Sequence, residues 1–265
     1  MLTSFRKDQM LLAKNYALYY GYGRVRELSL FDMAIVDPNG LKVEEFNELK
    51  LNNTLVITYL SIFEVHPTEP IYKELAYEDF LLIDGELIKN EDFGTYLVNL
   101  KSKKWINHLL NKINRHFNLL ESDGLFLDTV GDIELQSIST QVKKQQIDAL
   151  VNFLSVLKLL YPNHLMIQNN GFEIVIDETC SLIDGILWEN PPFSLKESKE
   201  WVQVILDKIS KIKEQYQLKI FLLLEDSIEK ERNSYEQARR IAKKHEFLLY
   251  HASKDYIEGF NILKG

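Results

Sequence analysis

The chain has 265 residues, 46% of them hydrophobic and 26% charged, with 31 Lys+Arg against 39 Asp+Glu and a net charge of −8. That length fits one large domain and leaves a single α/β barrel open, and the acidic balance disfavours nucleic acid or an anionic membrane as partner while mildly favouring a cationic ligand. Cys180 is the only cysteine, which excludes an intrachain disulfide and any cysteine-based zinc or iron–sulfur site.

Residues 1–14 carry Arg6, Lys7 and Asp8 through a broken apolar pattern, unlike the core of a signal peptide. Apolar runs such as 81–83 and 221–224 are far too short to cross a bilayer, so no membrane insertion is expected. Residues 16–20, aromatic and bounded by Gly21, predict a first strand, and 33–36 a second that ends at Asp37-Pro38. Residues 41–49 set Leu41, Val43, Phe46 and Leu49 among acids, which suits a short helix. The β-branched run 54–62 predicts a buried third strand running out at Glu64. The interval 65–94, with Pro67 and Pro70, reads as an irregular excursion over one face.

Residues 95–100 are a fourth strand candidate, after which Ser102 caps a helix carrying Trp105, Leu109, Ile113 and Phe117 at helical spacing. A fifth strand covers 125–128, and a helix over 141–160 stops before Pro162. The sixth strand, 164–168, ends in Asn169-Asn170-Gly171, and the seventh covers 183–188 with a helix over 199–215 behind it. The eighth, 218–224, ends at Glu225-Asp226; a helix over 227–244 and a ninth strand, 247–251, follow. Strands alternating with helices, without linker or repeat, indicate one α/β domain over 1–265. The expected architecture is a (β/α)8 TIM barrel with one extra strand, the candidates for exclusion being 95–100 and 247–251.

The chemistry is legible at the strand ends. Asp123-Gly124-Leu-Phe-Leu-Asp128 and Asp184-Gly185-Ile-Leu-Trp-Glu189 repeat one pattern: a turn, an apolar strand and a terminal carboxylate. Burying a charge is costly, so such an acid points to a cleft that uses it. Asp37, Glu64, Asp132, Asn169, Asn170, Asn190, Glu225 and Asp226 also follow strands, and in a (β/α)8 barrel the C-terminal strand ends form one mouth.

Each has a structural alternative. Asp37 before Pro38 suits a turn, Glu225 and Asp226 suit a helix dipole, and Asp132 and Glu134 sit near a helix start. Asn169 and Asn170 suit capping, and Asp128 with Glu189 a salt bridge across the mouth. Tyr19, Tyr20, Tyr59 and Trp188 stand at or beside strand ends, as core packing or as a stacking platform for a sugar ring. The six His show no metal-ligand spacing, with His108 and His116 assigned to a surface helix, so neither metal nor cofactor is expected. No glycine-rich phosphate loop or Gly-x-Ser-x-Gly elbow occurs.

Two strand-end carboxylates without a metal suit glycoside hydrolysis, which needs one protonated acid and one ionised carboxylate. Desolvation by Trp188 would make Glu189 the proton donor, leaving Asp128, in a more polar run, as nucleophile.

The order of Tyr-Tyr-Gly (19–21), Asp-Met-Ala-Ile-Val-Asp (32–37), Tyr-Leu-Ser-Ile-Phe-Glu (59–64), Gly-Leu-Phe-Leu-Asp-Thr-Val (124–130), Gln-Asn-Asn-Gly (168–171) and Asp-Gly-Ile-Leu-Trp-Glu (184–189) resembles glycoside hydrolase family 114, the endo-α-1,4-polygalactosaminidases and their bacterial relatives. Phe63 departs from it, standing where glycine is expected before Glu64. The resemblance implies a (β/α)8 barrel cleaving partly deacetylated, α-1,4-linked galactosamine polymers of the Pel type found in biofilm matrix, with retention and with Asp128 and Glu189 as the catalytic acids. Such relatives are usually secreted, which implies an extracellular or cell-surface enzyme whose leader is absent from this chain; a cytoplasmic location stays open. The rival readings are a catalytically inactive sugar-binding barrel and a glycosidase for another amino sugar.

Overall fold

Near-continuous apolar runs such as Leu55-Val-Ile-Thr-Tyr-Leu are what a strand buried on both faces requires, and in a parallel sheet both faces are covered. A computed structural model describes residues 3–193, 195–225 and 232–257. Eight strands form one parallel sheet in chain order: β1 (Tyr16–Tyr19), β2 (Met33–Val36), β3 (Leu55–Ser61), β4 (Gly124–Asp128), β5 (Leu165–Asn169), β6 (Gly185–Glu189), β7 (Lys219–Glu225) and β8 (Leu248–Ala252). β1 returns beside β8, where the Tyr16 ring meets Tyr250 at 5.5 Å and Phe221 at 5.0 Å. The result is a nearly closed (β/α)8 barrel.

The extra strand is the one predicted at 95–100. Thr95–Leu97 pairs antiparallel with Glu64–Val65 and Lys89–Asn90 in a separate three-stranded patch, while β3 pairs directly with β4. An alternating run of three residues carries no information about whether its partner is parallel or antiparallel, because the partner is distant in sequence. The ninth predicted strand, by contrast, is β8 and belongs to the barrel.

The described α-helices of five or more residues are α1 (Thr3–Leu12), α2 (Val43–Leu51), α3 (Lys103–Asn118), α4 (Thr140–Leu160), α5 (Val175–Thr179), α6 (Lys199–Tyr216) and α7 (Arg232–His245). Ser102 caps α3 as predicted, its Oγ accepting the Trp105 N–H at 3.1 Å. Of the helix predicted over 227–244, residues 227–231 lie outside the described residues, as does Asp226. None of the described helices is long and apolar enough to cross a membrane.

Side-chain alternation along each strand separates two cores. Ile57, Phe126, Ile167, Leu187 and Phe221 fill the barrel interior, whereas Leu125, Leu127, Met166, Ile186, Trp188 and Leu222 face the helices. Asp128, Asn169 and Glu189 fall in step with the inward set, two positions beyond Phe126, Ile167 and Leu187.

The repeated Asp-Gly turns mark the opposite, N-terminal end. Asp123 accepts the Val56 N–H at 3.0 Å and Arg6 Nε at 2.8 Å; Asp184 accepts the Met166 N–H at 3.0 Å and Lys158 Nζ at 2.7 Å, with Lys7 at 3.6 Å. Arg6 and Lys7 come from α1, so residues 3–12, unpromising in sequence, form a helix tied to the barrel floor. A side chain at Gly124 or Gly185 would place Cβ 2.5 Å from the Leu165 carbonyl or 2.9 Å from that of Lys219, so glycine is needed for the strands to approach. Asp123→Ala would leave the buried Val56 N–H without its acceptor and take the carboxylate from a partly buried Arg6, which keeps only its 3.2 Å bond to the Asn163 carbonyl among its described bonds. It should cost about 2–4 kcal/mol in urea unfolding, without moving the pH profile of any activity at the far end.

His116, assigned from sequence to a surface helix, is buried at 3% exposure. Its Nδ1 lies 3.1 Å from Thr58 Oγ1, because it falls on the face of α3 turned to β3. Burial, then Lys112 and Arg115, lower its pKa to about 4. The folded state therefore prefers the neutral ring: this stability is fully present above the unfolded value of about 6.5 and is lost as pH falls towards 4. The loss should approach about 3 kcal/mol at full effect. His116→Asn should flatten the slope of unfolding free energy between those two pH values relative to the parent.

Candidate active site

The ends of β4, β5 and β6 share one backbone device. Asp128, Asn169 and Glu189 close their strands and are followed by Thr129, Asn170 and Asn190, all left-handed, with φ of 62°, 54° and 46°. Asn tolerates this region comparatively well; Thr does not, being β-branched. Thr129 is held there by its hydroxyl, which accepts the Ile62 and Phe63 N–H groups at 3.2 and 2.8 Å. Asn170 donates its N–H to the Leu187 carbonyl at 2.9 Å, and its Oδ1 accepts the Glu189 N–H at 3.1 Å. Asn190 repeats both contacts one strand on, with Leu223 and Glu225, each at 2.8 Å. Asn170 therefore fixes the backbone of Glu189.

At the centre stands Asn169, 4% exposed. Its Nδ2 donates to Asp128 Oδ1 and to Glu189 Oε2, both at 2.7 Å, so these two oxygens are no more than twice 2.7 Å apart. The two amide hydrogens suffice for both bonds. Burial raises the Asp128 carboxyl above the usual range, and the nearby Glu64 charge adds to that. Hydrogen bonds from Asn169, the Thr129 N–H and Tyr59 act the other way. Glu189 is likewise raised, first by burial, with the Asp128 and Glu225 charges adding to it and hydrogen bonds from Tyr256 and Asn169 opposing.

A second pair of acids adjoins the first. Glu64 is buried at 4% exposure and accepts Asn90 Nδ2 at 2.8 Å and Thr95 Oγ1 at 2.6 Å, both from the three-stranded patch. Asp132, in the turn Val130–Glu134, is pushed up to about 8 by burial and by Glu64, Asp128 and Glu189. It hydrogen-bonds Glu64, and that contact also favours its acid form. Phe63 does not displace Glu64 from the site; its own ring is fully buried in the outer core. Glu134 serves α5 instead, its Oε1 accepting the N–H groups of Glu173, Ile174 and Val175 at 3.0, 2.8 and 2.9 Å.

Tyr20 and Tyr59 reach the mouth, their rings edge to face at 5.1 Å. Burial and the Asp128 charge raise both phenols. Tyr19 and Trp188 do not reach it. Each is one residue out of step with the inward set and is buried at 4% and 2% exposure, and Trp188 packs on Phe172 at 5.1 Å and Phe193 at 5.3 Å. Neighbours in a strand face opposite ways, so Trp188 cannot be what desolvates the Glu189 carboxyl.

Asp37 closes its own turn, accepting the Asn39 N–H at 2.6 Å. Glu225 accepts the Asp255 N–H at 2.6 Å and so anchors the turn that follows β8. That turn delivers Tyr256, whose hydroxyl donates to Glu189 Oε1 and which the sequence reading passed over. Its signal was available, because Tyr256 follows the last strand just as the other polar residues follow theirs. Among the described residues no group of three or more His, Cys, Asp or Glu is placed to hold a metal ion.

Carboxylates paired through one amide at the C-terminal mouth of a (β/α)8 barrel have the layout of a barrel glycosidase. The family comparison agrees: a model of glycoside-hydrolase family GH114 matches residues 8–203, and the chain belongs to that family. Among solved structures, it resembles the glycoside hydrolase domain of PelA from Pseudomonas aeruginosa with a TM-score of 0.74 and 20% identity, covering 92% of this chain and 96% of that one. Ega3 from Aspergillus fumigatus, in complex with galactosamine, gives a TM-score of 0.69 at 12% identity, with 93% of both chains covered. The α-galactosidase TtGalA from Thermus thermophilus gives 0.59 at 10% identity, covering 92% of this chain and 62% of that one. At these identities the likenesses are of fold. No curated protein sequence matches the chain.

Proposed function

We propose that this chain is a metal-independent, endo-acting glycosidase that cleaves α-1,4-linked, galactosamine-rich exopolysaccharide with retention of configuration. The observation that carries the reading is the single Asn169 nitrogen 2.7 Å from both carboxylates. Retaining glycosidases hold their two carboxyls about 5–5.5 Å apart and inverting ones about 6.5–9.5 Å apart. A pair bridged by one nitrogen fits the shorter class.

Asp128 is the nucleophile in this reading. Two groups that can only donate, the Asn169 amide nitrogen and the Thr129 N–H, favour its anion. Glu189 is the acid and then the base: its Oε1 faces a phenol able to donate or accept, so a proton can arrive and leave there. In the first step Glu189 protonates the leaving oxygen while Asp128 attacks the anomeric carbon; in the second, Glu189 takes a proton from the water that displaces Asp128.

Tyr20, Tyr59 and the Glu64–Asp132 pair line the sugar site, and the acid cluster suits a polymer bearing cationic amines. The galactosamine named with Ega3 supports the same sugar here, and a polymer substrate fits an extracellular or cell-surface setting. Product analysis on α-1,4-galactosamine polymer tests the reading, with reducing oligosaccharides as the expected result. Binding without any product would instead identify a sugar-binding barrel, and cleavage confined to another amino sugar would overturn the substrate.

A further inference from the structure

The turn after β8 is costly to build. Asp255 and Tyr256, neither of them glycine, are consecutive left-handed residues with φ of 56° and 59°. Backbone in this region persists only where its surroundings over-determine it, and such residues gather at functional sites. Here three bonds hold it: the Asp255 N–H to Glu225 Oε1 at 2.6 Å, the Tyr256 N–H to the Ser253 carbonyl at 3.0 Å, and the Tyr20 N–H to the Tyr256 carbonyl at 2.9 Å. The last crosses the seam between β8 and β1. All this places one phenol on one oxygen of Glu189, and the other oxygen is taken by Asn169. Tyr256 also lies beyond residues 8–203, so the family match does not account for it.

We infer that Tyr256 is a positioning residue for Glu189, its hydroxyl donating to the carboxylate and accepting from the carboxylic acid, so that the side chain keeps one orientation through both protonation states. The inference rests on the proposed role of Glu189 as acid and base. A phenol can do this because it is both donor and acceptor, whereas the Asn169 amide nitrogen can only donate. Glu225 thereby acts at one remove, anchoring the turn rather than touching sugar.

The ionisable groups around Glu189 are Asp128, Asp132, Glu225, Tyr16, Tyr20 and Tyr256 itself. Of these, the Tyr256 hydrogen bond lowers the Glu189 carboxyl, while the Asp128 and Glu225 charges raise it. Removing the phenol oxygen therefore extends the acid form to higher pH. Removing the Glu225 charge does the opposite.

The test compares the parent with Tyr256→Phe and Glu225→Gln on galactosamine polymer, recording kcat, KM, the pH profile of kcat/KM and the melting temperature. Tyr256→Phe should lower kcat about 10–100-fold with KM within about threefold, and move the basic limb of the profile up. Glu225→Gln should move that limb down. The substrate's own ionisation is common to all three proteins and cancels in the comparison. A folded Tyr256→Phe protein with parental kcat, or with reduced kcat but an unmoved basic limb, overturns the assignment. So does movement of the limb in the same direction in both variants, which would mean general loosening of the mouth. Glu189→Gln separates the two readings: if it alone is inactive, only the Tyr256 inference fails, whereas if it is fully active the acid assignment fails with it.

Discussion

Replacing Asp128 by alanine should lower turnover of galactosamine polymer on the order of 10⁴-fold or more while the barrel stays folded. In the proposed mechanism Asp128 is the nucleophile, the group for which the site has no substitute. Burial and the neighbouring Glu64 favour the acid form of Asp132, and Glu64 is occupied by Asn90 and Thr95. The loss should be partly reversed by azide, which enters the space left by the carboxylate and attacks the anomeric carbon from the same side. Because only one displacement then occurs, the glycosyl azide should have the inverted configuration at the anomeric carbon. Glu189→Gln should reduce turnover about 10²–10⁴-fold, the usual contribution of a general acid, and less on substrates with good leaving groups. Mass spectrometry and NMR of the azide product check the assignment. A Glu189→Ala protein that gives inverted azide, with Asp128→Ala unrescued, would exchange the two roles.

Asn169→Ala should reduce kcat/KM about 10²–10³-fold, since it removes two hydrogen bonds to ionisable acids at once. The pH dependence carries the sharper expectation. Asn169 lowers both Asp128 and Glu189 by donating to their anions. Without it both carboxyls rise, so with the proposed roles the acidic limb, set by ionisation of Asp128, and the basic limb, set by loss of the Glu189 proton, should both move to higher pH. The bell should shift as a whole, in contrast to Tyr256→Phe, which should move one limb. Activity within about threefold of the parent, with an unmoved bell, would mean that the bridging amide is incidental.

Much of the fold was legible because local rules carried it. Buried parallel strands need apolar runs, caps need hydroxyls, and the Asp-Gly turns mark strand starts in both matched motifs. The two central acids were legible for the same reason, since an apolar strand that ends in a carboxylate shows where water or a ligand begins. Trp188 was misread although the rule that excludes it is itself local: adjacent strand residues face opposite sides, so Glu189 and Trp188 cannot both look into the mouth. The extra strand at Thr95–Leu97 and the buried His116 depended on partners distant in sequence, which periodicity alone does not reveal.

By itself, then, the sequence determined the class of fold, the two strand-end acids and the family, because each rests on spacing within a few residues or on the order of short motifs. Only the tertiary structure decided that one amide of Asn169 joins both acids, that Glu64 and Asp132 share a site, and that Tyr256 completes it. These contacts join residues 20 to 68 positions apart. Closing a sheet into a barrel brings separate strand ends to one mouth, and no local pattern encodes which of them will touch.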